Sequence, residues 1–121
     1  MKLQELHRRS GAVLIPVPGG VLPARHSDPA EELAAGLEAA VLVDRSTGGR
    51  LRLAGGQRLD YLQRISAQDF RDLEPGRGVR AAVLERRGKI VDVVTGHAFA
   101  DHLLLLTSAA LRGAIADWIR R

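Results

Sequence analysis

The chain has no cysteine. That excludes disulfides, thiolate metal sites, iron–sulfur ligation by this chain and thiol nucleophiles, and it fits a reducing compartment. Aromatic residues are scarce. Trp118, Tyr61, Phe70 and Phe99 are the whole set, so any core must be aliphatic. Lysine is almost missing too: the 18 basic residues include only Lys2 and Lys89, and the rest are arginine. No apolar run approaches the ~18 residues of a membrane-spanning helix. The opening stretch Met1 to Arg9 lacks the apolar segment of a secretion signal. These absences lead us to expect a cytoplasmic protein without a membrane partner.

What is present is enough for a real core. The chain has 121 residues, 45% of them hydrophobic, and a chain of this size buries roughly two-thirds of its unfolded surface. One domain spanning 1–121 is expected, with no linker, repeat or low-complexity segment. The net charge of +4 admits two readings: a site for an anion, or arginine-rich composition of the kind a GC-rich genome produces. Acidic residues are interspersed throughout. No run of like charge and no exposed aromatic interleaving points to nucleic acid.

Local signals give the order of elements. Residues 1–10 read as a short helix or an arm, and Ala12 to Ile15 as a strand. Pro16, Pro18, Gly19, Gly20 and Pro23 read as a stiff irregular loop. Asp28-Pro29-Ala30-Glu31 is a helix start, with Asp28 as cap, Pro29 at the first helical position and Glu31 closing a capping box. That helix should reach about Ala40, with Leu33, Leu37 and Ala40 inward. Val41-Leu42-Val43 reads as a buried strand and Leu51 to Leu53 as a half-exposed one. A helix over about 57–65 carries the stripe Leu59, Leu62, Ile65. Val79 to Leu84 and Lys89 to Phe99 form a hairpin with Gly88 at its tip. His102 to Thr107 is a strand, and Ser108 caps a last helix over 109–120 with Leu111, Ile115 and Trp118 inward. This mixed order argues for an α+β fold with an antiparallel or mixed sheet rather than a doubly wound one.

Few constellations suggest chemistry. Gly48-Gly49 and Gly55-Gly56 lack the residues that make a phosphate loop and read as turns. Asp44 to Thr47 forms either a polar rim at a strand end or an Asx-type turn, and Ser46 has no nearby base that would make it a nucleophile. The histidines at 7, 26, 97 and 102 have no metal-ligand spacing, so no metal is expected. His97 could line a ligand site from its strand. Arg86, Arg87 and Lys89 cluster at the hairpin tip, as an anion contact or an ordinary solvated tip. Asp92 interrupts an apolar strand, between Ile90-Val91 and Val93-Val94. It either faces solvent or faces a polar cavity. An unpaired buried carboxylate would cost several kcal/mol, so a cavity requires a partner, for which Arg80 is the expected choice.

A set of spaced landmarks runs through these elements: Gly11-Ala12, Gly19, Pro23, then Val43-Asp44-Arg45-Ser46 to Leu53, then Leu59 to Arg64, Asp69, Pro75-Gly76, and Gly88-Lys89-Ile90-Val91-Asp92. In this order they resemble the amino-terminal domain of the glycine-cleavage T-protein (aminomethyltransferase) superfamily, which includes the folate-binding YgfZ-type proteins. Lys89 after Gly88 is closer to the YgfZ-type branch. The resemblance implies one part of a three-domain protein whose domains share a central channel for tetrahydrofolate. It therefore implies a reduced folate as partner, with further domains or a client protein beside it. It implies support of iron–sulfur cluster assembly or repair as the function, with aminomethyl transfer to tetrahydrofolate as the alternative and a ligand-free interaction domain as the second. By the same resemblance Asp92 and Arg80 are folate-binding residues, with His97 added to the folate-binding set from its place on the same strand as Asp92. The family's transferases carry two consecutive aspartates on this strand, and the more important second one falls on Val93. Their folate-contacting tyrosine on the preceding strand falls on Arg80. With valine at that position, the transferase chemistry lacks its carboxylate, and the catalytic residues are left unassigned.

Overall fold

The computed structural model describes residues 2–120. The chain divides into two compact units that meet in sequence between Thr47 and Gly48. Composition gives no sign of this division, because the junction is a short Ser-Thr-Gly-Gly stretch.

The first unit begins with helix α1 (Leu3–Arg9). Glu5 lies in its first turn and His7, Arg8 and Arg9 in its last, which suits the helix dipole at both ends. Strands β1 (Val13–Val17) and β2 (Gly20–Arg25) then form an antiparallel hairpin. The expected irregular loop is therefore ordered as a sheet. Pro18-Gly19 makes its two-residue turn, with Gly19 at φ 89°, a value that glycine adopts without strain. Pro16 and Pro23 sit inside the strands. They are tolerated because both strands of a two-stranded sheet are edges, where a missing N–H costs no ladder bond.

Helix α2 (Pro29–Glu38) starts where expected, and Asp28 Oδ1 accepts the N–H of Ala30 at 2.9 Å. The carboxylate that folds back is Glu32, not Glu31. Its Oε1 accepts the N–H groups of His26 at 2.6 Å and Ser27 at 3.2 Å. Two further expectations fail in this unit. Leu33 and Leu37 are exposed, at 65% and 78%, and Ala40 is exposed as well. Val41-Leu42-Val43 forms no strand and is also exposed. A strand needs a neighbour to take its peptide hydrogen bonds, and none lies beside these residues among those described.

The second unit is a four-stranded antiparallel sheet in the order β3-β6-β5-β4, built from β3 (Gly49–Ala54), β4 (Gly78–Leu84), β5 (Ile90–Ala98) and β6 (His102–Thr107). With the helices, this gives the α+β class expected. Helix α3 (Arg58–Ile65) and helix α4 (Arg112–Ile119) supply Leu62 and Ile115 to a core completed by Phe70, Val83, Val94, Leu103 and Leu105, all fully buried. Leu59, Ile65, Leu111 and Trp118 pack around it, so both helical stripes face inward as their spacing predicts. Leu51 and Leu53 pair across β6 with Leu105 and Leu103. The core-facing side of the sheet thus carries aliphatic residues from every strand. Phe70 is pinned by its N–H, which donates to Gln63 Oε1 at 2.7 Å. It lies against Gly96, where a Cβ would come within 3.3 Å of the ring. Ser108 does not cap α4. It precedes a 3₁₀ turn (Ala109–Leu111) and makes no side-chain cap bond.

Candidate functional site

The site expected from the sequence lies on the β4–β5 hairpin. Gly88 turns the tip at φ 78°, and Arg86, Arg87 and Lys89 there are exposed. Pairing runs from Gly78↔His97 through Arg80↔Thr95 and Ala82↔Val93 to Val83↔Asp92, then shifts by one residue to Leu84↔Ile90. Val91 is the extra residue of this bulge. From Asp92 onward β5 alternates strictly: Asp92, Val94, Gly96 and Ala98 are buried, while Val93 and His97 are exposed.

This alternation separates the three expected site residues. Asp92 points to the core side, only 6% exposed. Arg80 and His97 lie on the opposite face, with Thr95 directly across from Arg80 and Val93 and His97 on its two diagonals. Directly opposed Cβ atoms on one face are about 5 Å apart and diagonal ones about 7–8 Å, so these four side chains form one contiguous patch. Arg80 is therefore not the partner of Asp92; the sheet stands between them. The carboxylate is satisfied elsewhere. Its Oδ1 accepts the Ser108 hydroxyl at 2.6 Å and the Val93 N–H at 2.8 Å, and its Oδ2 accepts the Ser108 N–H at 2.9 Å. Three donors on one carboxylate offset the cost of taking the charge out of water.

The outer patch combines a guanidinium (Arg80), a hydroxyl (Thr95), an imidazole (His97) and a partly exposed aliphatic (Val93, 44%). Gly78 is integral to it. A Cβ there would stand 3.0 Å from His97 Nδ1, so glycine lets the imidazole lie down over the neighbouring strand. On β6 the same face carries Leu104, opposite His97, and Leu106, opposite Thr95. A cation, two hydrogen-bonding groups and aliphatic ground suit a flat organic anion. The patch contains no carboxylate to accept or move a proton.

The first unit holds a second cluster that the sequence did not reveal. His7 Nε2 lies 2.9 Å from Asp44 Oδ2, and His7 Nδ1 lies 3.2 Å from His26 Nε2. The side chains of His7 and Asp44 are largely buried, at 12% and 6% exposure. With His7 Nε2–H donating to the carboxylate, Nδ1 of a neutral His7 is an acceptor and His26 Nε2–H its donor. Asp44 Oδ1 also accepts the Ser46 N–H at 2.7 Å, which is the Asx-type turn read from Asp44 to Thr47. That bond is the largest influence holding the Asp44 carboxyl below its ordinary value, with Ser46 and His7 side-chain bonds adding to it against desolvation. Only folding brings these residues together, since 37 positions separate His7 from Asp44. Among the described residues no group of three His, Cys, Asp or Glu side chains is arranged to hold a metal ion.

The family model described as the GCVT N-terminal domain matches residues 3–121. The aminomethyltransferase of Symbiobacterium thermophilum is 35% identical over 100 residues, which cover 83% of this chain and 27% of that protein. The aminomethyltransferase of Acidobacterium capsulatum is 33% identical over 119 residues, covering 98% and 32% respectively. Among solved structures, glycine cleavage system aminomethyltransferase T from Bartonella henselae superposes with a TM-score of 0.81 at 21% identity, over 98% of this chain and 33% of that one. At that identity the superposition shows a shared fold. The chain spans about a third of the length of these relatives. No helix among the described residues is long and apolar enough to cross a membrane.

Proposed function

The chain belongs to the GCVT N-terminal domain family, and from that premise we propose that it supplies one wall of a reduced-folate site of the aminomethyltransferase type. The observation that carries this is the outer face of the β4–β5 hairpin, where Arg80, Thr95, His97 and Val93 lie together. Tetrahydrofolate fits the donor set. Its carboxylates match the Arg80 guanidinium, its ring nitrogens match Thr95 and His97, and its flat ring system matches the aliphatic surface of Val93 and Leu106. Asp92 serves from behind the sheet. By fixing β5 to Ser108 it holds the backbone of Val93 in place without touching the ligand.

Aminomethyl transfer is preferred over iron–sulfur cluster assembly, because the relatives matched along nearly the whole chain carry the former name. Within this segment the residues bind and orient. Valine at 93 places no carboxylate on the ligand face, so a group that moves a proton must come from outside the patch.

Calorimetric titration of the purified chain with 5-formyl-tetrahydrofolate tests the proposal. Saturable binding, weakened about tenfold by Arg80→Ala through loss of a charge-assisted bond, is the expected result. A folded chain that binds no folate would sink it and favour an interaction domain without a ligand.

A further inference from the structure

Strand β3 ends the four-stranded sheet and pairs along its whole length with β6 only. Its other edge has no strand beside it among the described residues. A cleft of about 770 Å³ runs along that edge from Arg50 to Arg58 and is lined on its far side by Tyr61 and Arg64 of α3 and by Arg120 just past α4. Its lining contains five arginines and no Asp or Glu. The floor is aliphatic, with Leu51, Leu53 and Ile119.

Arg52 and Arg120 are held by exposed ion pairs, and Arg50 donates to the Gly48 carbonyl at 3.3 Å. Arg52 meets Asp101 at 2.7 Å and Arg120 meets Asp117 at 3.6 Å, with all four side chains more than half exposed. Arg58 donates to the carbonyls of Gly55 and Ala100. Exposed ion pairs contribute about 0–1 kcal/mol, so a better-placed anion can displace them. An open strand edge is also a template for pairing with another chain. Cations along it repel a second copy of the same edge and attract an acidic segment.

We propose that the free edge of β3 is a docking site for an extended acidic segment of another polypeptide, which adds to the sheet as a fifth strand. The peptide groups of β3 would supply the ladder, as in other strand-addition complexes. Side chains alternate along an added strand, so it would present one row to Arg50 and Arg52 on the outer face. The other row would meet Arg58, Arg64 and Arg120 over the aliphatic floor. The six residues of β3 span about 20 Å, so a short linear segment suffices. Single-stranded nucleic acid suits the cleft less well, because Tyr61 is the one aromatic in its lining and strand-independent binding of bases relies on several stacking platforms. This inference stands on β3 and is independent of the folate reading of β4 and β5.

The test uses the whole chain and a fluorescein-labelled alternating Glu–Val peptide, followed by anisotropy at low and physiological salt. Controls are an alternating Lys–Val peptide, a Glu–Val peptide with a central proline, and a short single-stranded DNA. Expected are saturable binding of the Glu–Val peptide, loss of about tenfold in affinity for the proline-interrupted peptide and for Arg52→Glu, and slowed hydrogen exchange at β3 edge amides. Arg64→Gln, on the surface of α3, provides a second variant should Arg52→Glu fold poorly, and circular dichroism checks both. Failure to bind, equal binding of the Lys–Val or proline-interrupted peptide, tighter binding of the DNA, or a dimer that occupies the edge would each overturn the proposal.

Discussion

Asp92 and Ser108 form a clamp across the sheet. One residue sits near the start of β5, next to the bulge, and the other just past the end of β6, and both oxygens of the carboxylate accept from the serine, at 2.6 Å from its hydroxyl and 2.9 Å from its N–H. The clamp explains why a carboxylate occupies the otherwise apolar core-facing side of β5. It also turns the Ser108 hydroxyl toward β5, and that hydroxyl accepts no N–H from the turn that follows.

Asp92→Ala should destabilise the chain by about 2–4 kcal/mol, because three hydrogen bonds to one buried charge are lost together. Ser108→Ala removes only the hydroxyl and should cost about 1–2 kcal/mol. Urea unfolding with unchanged slope checks both. A change of less than roughly 0.5 kcal/mol for Asp92→Ala would show that the clamp contributes nothing to stability.

Gly49 is buried where β3 meets the start of α4. A Cβ there would run into Thr107 Oγ1 and stand 2.8 Å from Arg112 Cβ. Gly49→Ala should therefore cost about 1–3 kcal/mol by overpacking, whereas Gly113→Ala, which meets nothing, should be neutral or slightly stabilising. Thermal melts of the two variants side by side distinguish them.

Acid should loosen the first unit through Asp44. Its carboxyl is held below the ordinary value, chiefly by the Ser46 N–H. A depressed folded-state value means that the carboxylate contributes stability above its unfolded value of about 3.9 and loses it as pH falls through the folded value. Glu32, Asp69 and Asp101 shift in the same direction, so wild type alone cannot isolate it. Asp44→Asn should lie below wild type in stability at neutral pH and approach it near pH 3, a convergence that denaturant titration at the two pH values reads directly. Parallel curves would refute the assignment.

Val93→Asp places a carboxylate on the outer face, diagonal to Arg80. Because Val93 is 44% exposed, folding should be nearly unaffected. Reduced-folate affinity should fall several-fold, by an amount on the order of 1 kcal/mol, because the new carboxylate competes for Arg80 and removes aliphatic surface under the ring. His97→Ala should lower it by a similar factor. Calorimetry on both variants, with folding verified by circular dichroism, decides whether the ligand lies on this face.

Much of the architecture was legible because its signals are local. Asp28-Pro29 announced α2, the spacing of Leu59, Leu62 and Ile65 announced the buried side of α3, and Gly88 announced the β4–β5 turn. Where the reading failed, the deciding partner lay elsewhere in the chain. Val41 to Val43 had the composition of a buried strand but no strand beside it among the described residues. Leu33 and Leu37 had helical spacing but stay exposed among the described residues of their unit. Glu32 displaced Glu31 because the chain before the cap bends back to offer the N–H groups of His26 and Ser27.

The site divides in the same way. Residue identity and spacing were enough for the family resemblance, the start of α2 and the turn at Gly88, and that resemblance put forward Arg80 and Asp92 as candidates. The tertiary structure decided which of them share a face. The bulge at Val91 and the pairing of β5 with β4 turn Asp92 toward Ser108 and leave Arg80 and His97 together on the other side. The cluster of His7, His26 and Asp44 likewise exists only in the folded chain. Side-chain direction along a strand has a period of two, so one inserted residue reverses it, and only the partner strand fixes where that insertion falls.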